Sequence, residues 1–350
     1  MTDQAVLTIA IPTYNRASYL ERLLGRISDC DLTSISILVL DNHSTDNTGE
    51  VVRGFAEGKL KERLIYRANT ANIGGDANIA RCFEASDSEW VWILGDDDLP
   101  VEGCTEIIMK AIQANKDCIY IEFGSSILNL RTKRGQTYHT VGLAGFIEGF
   151  DCYSNLLFIS SGVYNRNTLV RVLDKAYLYT YSHSSQIAIL LLYLSQFPGR
   201  CCFSSEFLIE WEPPAPQHAW DNVMFTNRSP LIVEAIPANH LRCLMIDKMR
   251  KVEEIAPALT LRRLNEWKVS REKHLRQFQS RYFLLAALTG KYGREASICG
   301  LLLRVSNGAG FGILLRIVSR LGRSRISLVR RIAASVLDRD LLCKDARVLQ

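Results

Sequence analysis

The chain has 350 residues, of which 47% are hydrophobic and 23% charged, so it can form one large domain or two ordinary ones and is neither disordered nor collagen-like. No apolar stretch approaches the roughly 20 residues of a membrane-spanning helix, and the first residues lack the features of a signal peptide, so we expect a cytoplasmic protein. The ten cysteines are scattered and form no CxxC pair, which favours free thiols.

Positive charge is concentrated in the last hundred residues. Residues 251–350 contain 20 Lys and Arg against 8 Asp and Glu, a net charge of +12, whereas the first 250 residues carry −7. Between residues 304 and 331, arginines are interleaved with Leu, Ile and Val and no acid occurs. Such a basic amphipathic segment is typical of a helix pair that caps a core or of docking on an anionic membrane surface. No aromatic stacking platform accompanies the charge, so we expect no nucleic-acid binding.

Buried strands and amphipathic helices alternate along the first 125 residues. The aliphatic run at residues 6–11 predicts a strand buried on both faces, and the pattern Ser18-x-x-Glu21 predicts the capped start of the following helix. Further strands are predicted at residues 35–40, 64–66, 90–94 and 118–123, with helical stretches between them. This alternation indicates an α/β fold with a mostly parallel sheet flanked by helices.

Polar residues follow three of these strands. Residues 12–16 follow the first strand, Asp41 the second, and three consecutive aspartates, residues 96–98, the fourth. Because the carboxyl ends of parallel strands meet at one edge of a sheet, we expect these groups to lie together where such sheets bind ligands. Neither a dinucleotide fingerprint nor a P-loop is present.

The three aspartates predict a cation site. Adjacent carboxylates behind an apolar strand repel one another unless a cation neutralises them. Oxygen ligands at alternate positions of a turn, here Asp96 and Asp98, suit Mg²⁺ or Mn²⁺, and magnesium completes its shell with water and substrate phosphates. The alternatives are a solvated turn in which Asp98 caps the next helix, and an Asx turn or helix cap at Asp41. The two strand ends together favour the metal.

Four segments, in this order, resemble the GT-A-fold glycosyltransferases of family 2. They are residues 11–16, 40–46, 69–75 and 95–98, and the resemblance covers about residues 5 to 125. It implies a Rossmann-like GT-A sheet, a nucleotide-sugar donor, a divalent cation and inversion at the transferred sugar carbon. Many members of the family have two adjacent acids after the second strand, whereas the second of these positions is Asn42 here.

The same resemblance implies a role for individual residues. Pro12, Thr13 and Tyr14 would line the base and ribose of the donor, and Asp41 would accept a hydrogen bond from the base. Asp96 would hold the ribose or the metal, and Asp98 would coordinate the cation that bridges the donor diphosphate. Further donor-binding positions would be Arg16, Asn72, Arg81 and Asp97.

Glycosyl transfer also needs a base that takes the proton of the acceptor hydroxyl. In the family that this sequence resembles, the base is an acidic residue, often at the head of a helix. The corresponding residues here, 181–186, contain no acid. His183 is the first candidate, because a helix N-terminus keeps the imidazole neutral, and a merely hydrogen-bonded capping histidine is the alternative. The carboxylate candidates are Asp151, Asp174 and Glu148.

The remaining chain is expected to supply the acceptor half and an appendage. We predict a catalytic domain at residues 1–228, with a nucleotide-sugar half at 1–125 and an acceptor half at 126–228, and a helical, basic C-terminal extension at 229–350. Residues 160–165 and 207–211 resemble, more loosely, abequosyltransferase-type enzymes of bacterial O-antigen assembly. That resemblance implies a glycan or lipid-linked oligosaccharide as the acceptor, with the basic tail bringing the protein to the inner face of the cytoplasmic membrane.

Two other functions stay open from the sequence alone. A nucleotidyltransferase also has paired aspartates on an α/β fold, although a glycine-rich, lysine-containing N-terminal loop is absent. A catalytically silent binding module with this scaffold would explain the missing acids at residues 181–186. The proline-rich stretch at residues 213–216 predicts a loop, and Trp211 and Trp220 beside it either pack or stack on sugars.

Overall fold

The computed structural model describes residues 5–126, 135–151, 153–210 and 229–250. The chain divides into two compact units, Met1–Trp220 and Asp221–Gln350. The basic tail, the proline-rich stretch, Trp211 and Trp220 fall outside the described residues, and the predicted domain boundary at 228/229 stays a prediction. Within these ranges no helix combines the length and the apolar character that crossing a membrane requires.

Strands and helices alternate through the first part of the chain at the predicted places. The elements are β1 (Leu7–Thr13), α1 (Ala17–Ile27), β2 (Ile35–Asp41), α2 (Thr48–Glu57), β3 (Leu64–Ala68), α3 (Gly75–Ala85), β4 (Trp90–Ile93), β5 (Leu99–Pro100), α4 (Cys104–Ala114) and β6 (Cys118–Ser125). Only the two-residue strand β5 has no counterpart among the predicted elements, because its length is too short to give a periodic pattern.

The second part of the first unit mixes short helices with three more strands. They are β7 (Tyr138–Val141), α5 (Gly142–Gly149), α6 (Tyr153–Leu157), β8 (Gly162–Asn165), α7 (Arg166–Leu169), α8 (Leu173–Ala176), α9 (Ser185–Leu194) and β9 (Arg200–Glu210). Three 3₁₀ helices lie between them, at Ile159–Ser161, Val170–Val172 and Tyr177–Ser182. In the second unit, a 3₁₀ helix (Ser229–Ala235) precedes α10 (Asn239–Arg250).

In the described residues, nine strands form one sheet in the order β3-β2-β1-β4-β8-β6-β9-β5, with β7 paired to β9. The strands β3, β2, β1 and β4 are parallel to one another. Strand β8 is antiparallel to both β4 and β6, and β6 is parallel to β9. The carboxyl ends of the first four strands therefore meet at one edge of a mostly parallel sheet flanked by helices, as predicted from the sequence.

The core of the first unit explains why these segments form these elements. Strands β1 and β2 are aliphatic without interruption because helices cover both faces, and Ile9 and Val39 have no exposed surface. Helix α1 buries one stripe at helical spacing, made of Leu20, Leu23, Leu24 and Ile27. Each such side chain contributes about 1.5–3 kcal/mol on burial, so the sheet and helix α1 form a rigid base for the loops at the strand ends.

Helix α1 does not begin at the predicted capping box. It starts at Ala17, and Ser18 is an exposed residue of the first turn. The Ala17 N–H instead donates to a carboxylate oxygen of Asp46, at 3.1 Å, from the loop after β2. A contact between two loops thus fixes the helix start, and a local four-residue pattern cannot reveal such a contact.

Gly162, the first residue of β8, packs against two buried tyrosines. A Cβ atom at this position would lie 2.6 Å from the Tyr164 hydroxyl oxygen and 2.8 Å from a ring carbon of Tyr120. We expect Gly162→Ala to lower the free energy of unfolding by about 1–3 kcal/mol, because an overpacked core must shift its side chains. Urea denaturation measures the change.

Gly25→Ala in helix α1 is the matched control for this prediction. Apart from its chain neighbours and the nearby backbone of its own helix, no atom lies within 4 Å of the Cβ that it would add. The free energy of unfolding should rise by about 0.5–1 kcal/mol, because alanine favours a helix interior more than glycine does. A Gly162→Ala variant as stable as the wild type would contradict the packing at the start of β8.

Candidate functional site

The carboxyl ends of β1, β2 and β4 bring the predicted polar segments to one edge of the sheet. Thr13 pairs with Asp41 in the parallel register of β1 and β2. After β4, the chain turns so that Asp96 reaches back to β1, where its Oδ2 accepts a hydrogen bond from the Thr13 hydroxyl at 2.7 Å. The structure therefore brings residues that are 83 positions apart into direct contact.

Arg16 neutralises part of the aspartate charge. Its Nη1 lies 3.0 Å from Asp96 Oδ1 and 2.7 Å from Asp97 Oδ2. Burial lowers the pKa of Arg16, but the attraction of Asp96 and Asp97 outweighs this effect, so the pKa is raised. The guanidinium therefore stays charged and fixes the positions of two of the three carboxylates.

Asp98 is held by Ser160, a residue that the sequence analysis did not single out for this role. The Ser160 hydroxyl donates to Asp98 Oδ2 at 2.5 Å and accepts the Gly95 N–H at 2.9 Å. Asp98 is 5% exposed, and its Oδ1 receives no hydrogen bond from the described residues. Gly95 is required here, because a Cβ at that position would lie 2.5 Å from Asp98 Oδ2.

Burial raises the pKa of both Asp96 and Asp98. Loss of solvation is the largest cause for each carboxyl, and the neighbouring charge of Asp97 adds to it. The pKa of Asp96 rises to about 6 although Arg16 and Thr13 oppose the shift, and the pKa of Asp98 rises well above its usual range. Ionisation of both carboxyls is therefore unfavourable in this buried place, and a bound cation would stabilise their charged forms.

The residues present fit a hard divalent cation that brings part of its own coordination shell. Carboxylate oxygens are the donors that Mg²⁺ and Mn²⁺ prefer, and Asp98 Oδ1 offers such an oxygen in a negatively charged site. No three Asp, Glu, His or Cys side chains in the described part of the chain form a complete metal site. Magnesium commonly takes one or two protein carboxylates together with substrate phosphates and water, so this chemistry matches a cation that binds with a diphosphate.

Asp41 lies beside this cluster but is bonded to other partners. The Ser44 N–H donates to its Oδ1 at 2.9 Å, and the Tyr66 hydroxyl donates to its Oδ2 at 2.5 Å. Burial raises the pKa of Tyr66, and the bond to Asp41 raises it further, so the phenol stays a neutral donor. The bond to the Ser44 N–H is a local side-chain-to-backbone contact, like those of the Asx turn or helix cap that the sequence offered as the alternative role of Asp41.

The hydrogen bonds of Asn42 explain why this strand end has an amide where many family 2 enzymes have a second acid. Its Oδ1 accepts hydrogen bonds from Asn69 Nδ2 at 2.9 Å and from the Ile73 N–H at 3.0 Å. Its Nδ2 donates to Asn72 Oδ1 at 2.8 Å. An ionised aspartate could accept the first two bonds but could not donate the third, so the amide positions the loop between β3 and α3.

Arg81 belongs to the same network. Its Nη1 donates to Asn69 Oδ1 at 2.8 Å, and Asn69 in turn contacts Asn42. The Nε atom of Arg81 is buried and has no hydrogen-bond partner among the described residues. The structure therefore connects Arg81 with Asn72 through two asparagines, while Arg16, Asp96 and Asp98 form a separate group.

Pro12 and Tyr14 border the site on the β1 side. Pro12 is half-buried, and Tyr14 is 42% exposed in a loop where Asn15 adopts a left-handed φ of 53°. The Asn15 N–H donates to Ser44 Oγ and its Oδ1 accepts the Thr45 N–H, both at 2.8 Å. These bonds join the loops after β1 and β2, and the Tyr14 ring is presented at the surface.

His183 pairs with an acid that the sequence analysis missed. Its Nδ1 contacts Oδ2 of Asp76, in the first turn of α3, and both side chains are 13% exposed. The Ser185 hydroxyl also donates to the Asp76 carbonyl oxygen, at 3.2 Å. The only signal in the sequence was an acid directly after Gly74 and Gly75, and its partner lies 107 positions away.

The start of α9 is also connected to the segment that holds Asp98. Gln186 Nε2 donates to the Leu157 carbonyl oxygen at 2.8 Å, and Ser160 follows three residues later. Helix α3 begins directly after the loop that leaves the carboxyl end of β3. His183, Asp76 and the aspartate cluster are therefore built on the same edge of the sheet.

The three carboxylate candidates for the base lie elsewhere. Asp151 is exposed and accepts a hydrogen bond from Tyr138 at 3.1 Å, on a strand that pairs with the amino-terminal part of β9. That part of β9 is remote from the carboxyl edge, because β9 runs parallel to β4. Asp174 on α8 and Glu148 on α5 are both exposed. Of the four candidates, His183 is the one that its contact with Asp76 places at the carboxyl edge of the sheet.

Residues 8–171 match the protein family described as Glycosyl transferase family 2. Abequosyltransferase RfbV of Salmonella typhimurium is 30% identical over 131 residues, which cover 36% of this chain and 39% of that protein. The GalNAc(5)-diNAcBac-PP-undecaprenol beta-1,3-glucosyltransferase of Campylobacter jejuni is 27% identical over 138 residues, which cover 39% of this chain and 43% of that protein. The matched segments thus span about two fifths of the length of these relatives.

Two solved structures are similar over most of the chain. One is S. aureus TarS 1-349 in complex with UDP-GlcNAc, with a TM-score of 0.58 and 15% identity over 91% of this chain and 93% of that chain. The other is the mannosyltransferase PcManGT from Pyrobaculum calidifontis in complex with GDP-Man and Mn2+, with a TM-score of 0.52 and 16% identity over 96% of this chain and 87% of that chain. At these identities the likeness concerns the fold, and it confirms the predicted GT-A architecture.

Replacing Ser160 by alanine tests how the aspartate cluster is held. Asp98 Oδ2 and the Gly95 N–H would both lose their partner in a buried place, which costs about 1–3 kcal/mol. We expect this loss in the free energy of unfolding, measured by urea denaturation at pH 7.5.

Ser86→Ala is the matched control. Ser86 is equally buried, but its hydroxyl donates only to the Cys82 carbonyl oxygen, at 2.6 Å. Because one bond is lost instead of two, the destabilisation should be about 0.5–1.5 kcal/mol. A Ser160→Ala variant no less stable than Ser86→Ala would show that Ser160 does not hold Asp98.

Proposed function

Because residues 8–171 form a family 2 glycosyltransferase domain, we propose that this protein is a metal-dependent, inverting glycosyltransferase that uses a nucleotide-sugar donor. The observation that carries the proposal is the buried aspartate cluster at the carboxyl edge of the sheet, where Asp96 and Asp98 have raised pKa values. A cation and a diphosphate leaving group would supply the missing positive charge and the missing oxygen ligands together. The similarity to structures that contain UDP-GlcNAc, and GDP-Man with Mn²⁺, supports this choice of ligand.

The donor nucleotide would bind along the ends of β1 and β2. The exposed ring of Tyr14 offers a stacking surface for the base, and Pro12 and Thr13 would line the base and ribose. Asp41 would accept a hydrogen bond from the base, with Tyr66 fixing its carboxylate. On the other side, Asn72 and Arg81 would approach the nucleotide or its phosphates from the network around Asn42.

The aspartates and Arg16 would form the part of the site that faces the donor phosphates. Asp98 and Asp96 would hold a Mg²⁺ or Mn²⁺ ion, which would supply Lewis-acid stabilisation of the leaving diphosphate. Ser160 keeps one oxygen of Asp98 engaged, which leaves the other oxygen as the ligand. Arg16 fixes Asp97 and Asp96, so the cluster keeps its shape before the donor arrives.

His183 would act as the general base. In an inverting transfer the acceptor hydroxyl attacks from the face opposite the leaving group, so the base must stand apart from the diphosphate. His183 is supplied by a different element from the aspartates, at the start of α9.

We also propose a glycan, and specifically a lipid-linked oligosaccharide, as the acceptor. The name of the Campylobacter jejuni relative specifies an undecaprenol-linked substrate, and the two proteins share 27% identity over 138 residues. The basic residues between 304 and 331 would bring the protein to the anionic inner face of the cytoplasmic membrane.

Calorimetry with nucleotide sugars tests the donor and the cation. Titrations with UDP-, GDP-, dTDP- and CDP-sugars, each with and without Mn²⁺, should identify one donor class whose binding is strengthened by Mn²⁺. Asp98→Asn keeps the size of the side chain and its bond to Ser160 but loses the charge. It should remove the effect of Mn²⁺ and lower kcat by about 100-fold or more.

The control for this experiment is Asp87→Asn. Asp87 is an exposed acid whose carboxylate forms a surface ion pair with Arg67, at 3.5 Å. Donor binding and kcat should stay at the wild-type level, because the charge lies outside the cluster. Turnover by Asp98→Asn at the wild-type rate would contradict the cation site, and metal-dependent donor binding without any transfer would indicate a silent binding module.

A further inference from the structure

We infer that Asp76 is a positioning residue for His183: it accepts a hydrogen bond from the Nδ1–H group, so that Nε2 is the atom that takes the proton of the acceptor hydroxyl. The inference rests on the proposed function and deepens it. Residues 181–186 contain no acid, and Asp76 of α3 would supply the carboxylate that acts beside His183. The contact between His183 Nδ1 and Asp76 Oδ2 carries it.

The contact is built into the junction of two helices. Asp76 lies in the first turn of α3, and His183 comes two residues before the first residue of α9. A second bond, from the Ser185 hydroxyl to the Asp76 carbonyl oxygen at 3.2 Å, joins the same two helix starts. With each side chain only 13% exposed, water competes weakly for the contact and the imidazole ring has a fixed position.

The backbone at His183 is a second, independent observation. The residue adopts a left-handed φ of 54°, where the 3₁₀ helix Tyr177–Ser182 ends and the chain turns into α9. Residues other than glycine rarely adopt this conformation, and where it persists the surrounding structure holds it in place. Here the conformation places the imidazole against Asp76.

The chemistry of the two groups fixes the tautomer. A neutral imidazole has one N–H and one nitrogen lone pair, whereas an ionised carboxylate can only accept hydrogen bonds. The proton of His183 must therefore lie on Nδ1, facing Asp76, and the lone pair on Nε2. This arrangement is what a general base needs, and an imidazole with the opposite tautomer could not accept a proton at Nε2.

Asp76 also compensates for an unfavourable location. The start of α9 disfavours a positive charge, so the imidazolium that forms during transfer would be destabilised there. A carboxylate in direct contact stabilises that cation more strongly than the partial charge of a helix end destabilises it. The start of α3 in turn favours the negative charge of Asp76.

The acceptor oxygen forms a bond to the anomeric carbon while the bond between that carbon and the diphosphate oxygen breaks. The electron pair of the broken bond leaves with the diphosphate. The proton of the acceptor hydroxyl moves to Nε2 of His183, and the resulting imidazolium releases it to water after the products leave. Asp76 keeps its charge throughout and contacts no reacting atom.

Helix α3 offers a matched control for Asp76. Glu84 lies two turns further along the helix and accepts a hydrogen bond from the Tyr177 hydroxyl at 2.6 Å. It therefore ties α3 to the same 3₁₀ helix that precedes His183, but it makes no hydrogen bond to the imidazole. A substitution at Glu84 therefore removes a bond between these two segments without touching His183, and it shows the effect of a purely structural loss.

The kinetic test compares Asp76→Asn, His183→Gln and Glu84→Gln in the full-length protein. We expect Asp76→Asn to lower kcat by about 100-fold, with the KM for the donor changed by no more than a few-fold, because the base loses its orientation while donor binding is untouched. His183→Gln should lower kcat at least as much, and the double variant no further. Glu84→Gln should keep wild-type kcat and KM.

A spectroscopic test is independent of turnover. The protein has six histidines, and His183→Gln assigns the signal of His183 in protein labelled with ¹⁵N-histidine. The ¹⁵N shifts should report the Nδ1-protonated tautomer in the wild type and in Glu84→Gln, and a mixture of tautomers in Asp76→Asn. Failure of metal-dependent donor binding would remove the proposed function, yet these shifts would still report whether Asp76 orients His183.

Three results would overturn the inference. The first is the Nε2-protonated tautomer in the wild type. The second is a wild-type kcat for a folded Asp76→Asn variant, with folding checked by thermal unfolding. The third is an inactive Asp76→Asn variant beside an active His183→Gln variant, because Asp76 itself would then be the base.

Discussion

Burial of acidic side chains behind an apolar strand is the constraint on which this site depends. Strand β4 is buried along its whole length, and Asp96 and Asp98, which follow it, are each only 5% exposed. Neither carboxylate ionises easily there, although Thr13, Arg16 and Ser160 all bond to the cluster. Hydrogen bonds fix the geometry of the carboxyl groups and Arg16 neutralises part of their charge, so a ligand that brings further positive charge would recover free energy that ionisation costs in this buried place.

The sheet determines which other groups can reach that ligand. Because β1, β2, β3 and β4 are parallel, every loop that leaves their carboxyl ends lies at the same edge. Helix α3 starts from one of these loops, and α9 meets it through Asp76, His183 and Ser185. In the proposed function, the cation, the nucleotide and the proton acceptor would therefore bind to or come from different elements of one rigid frame, as a transfer between two substrates requires.

Local sequence patterns predicted the frame but not the contacts that complete the site. Aliphatic runs and helical spacing identified β1, β2 and α1, because burial of one face imposes a period on the residues themselves. The bond from Ser160 to Asp98 spans 62 positions and the contact from His183 to Asp76 spans 107, and no periodicity encodes such pairs. Asp46, which accepts the first N–H of α1, overrode the capping box at Ser18 for the same reason. The insertion of β8 between β4 and β6 is likewise a tertiary feature that the order of elements does not reveal.

The central claim is that the aspartate cluster binds a cation together with a diphosphate. Pulsed electron paramagnetic resonance of Mn²⁺, bound to the protein with a nucleoside diphosphate, tests this claim most directly. The buried carboxylates should hold the ion only together with the phosphates, so the spectrum should show ³¹P hyperfine coupling and a relaxation rate that differs from that of the Mn²⁺–nucleotide complex in buffer. The Asp98→Asn variant should return the spectrum to that of the complex in buffer. A protein-bound Mn²⁺ signal without ³¹P coupling, or one that is unchanged in Asp98→Asn, would contradict the central claim.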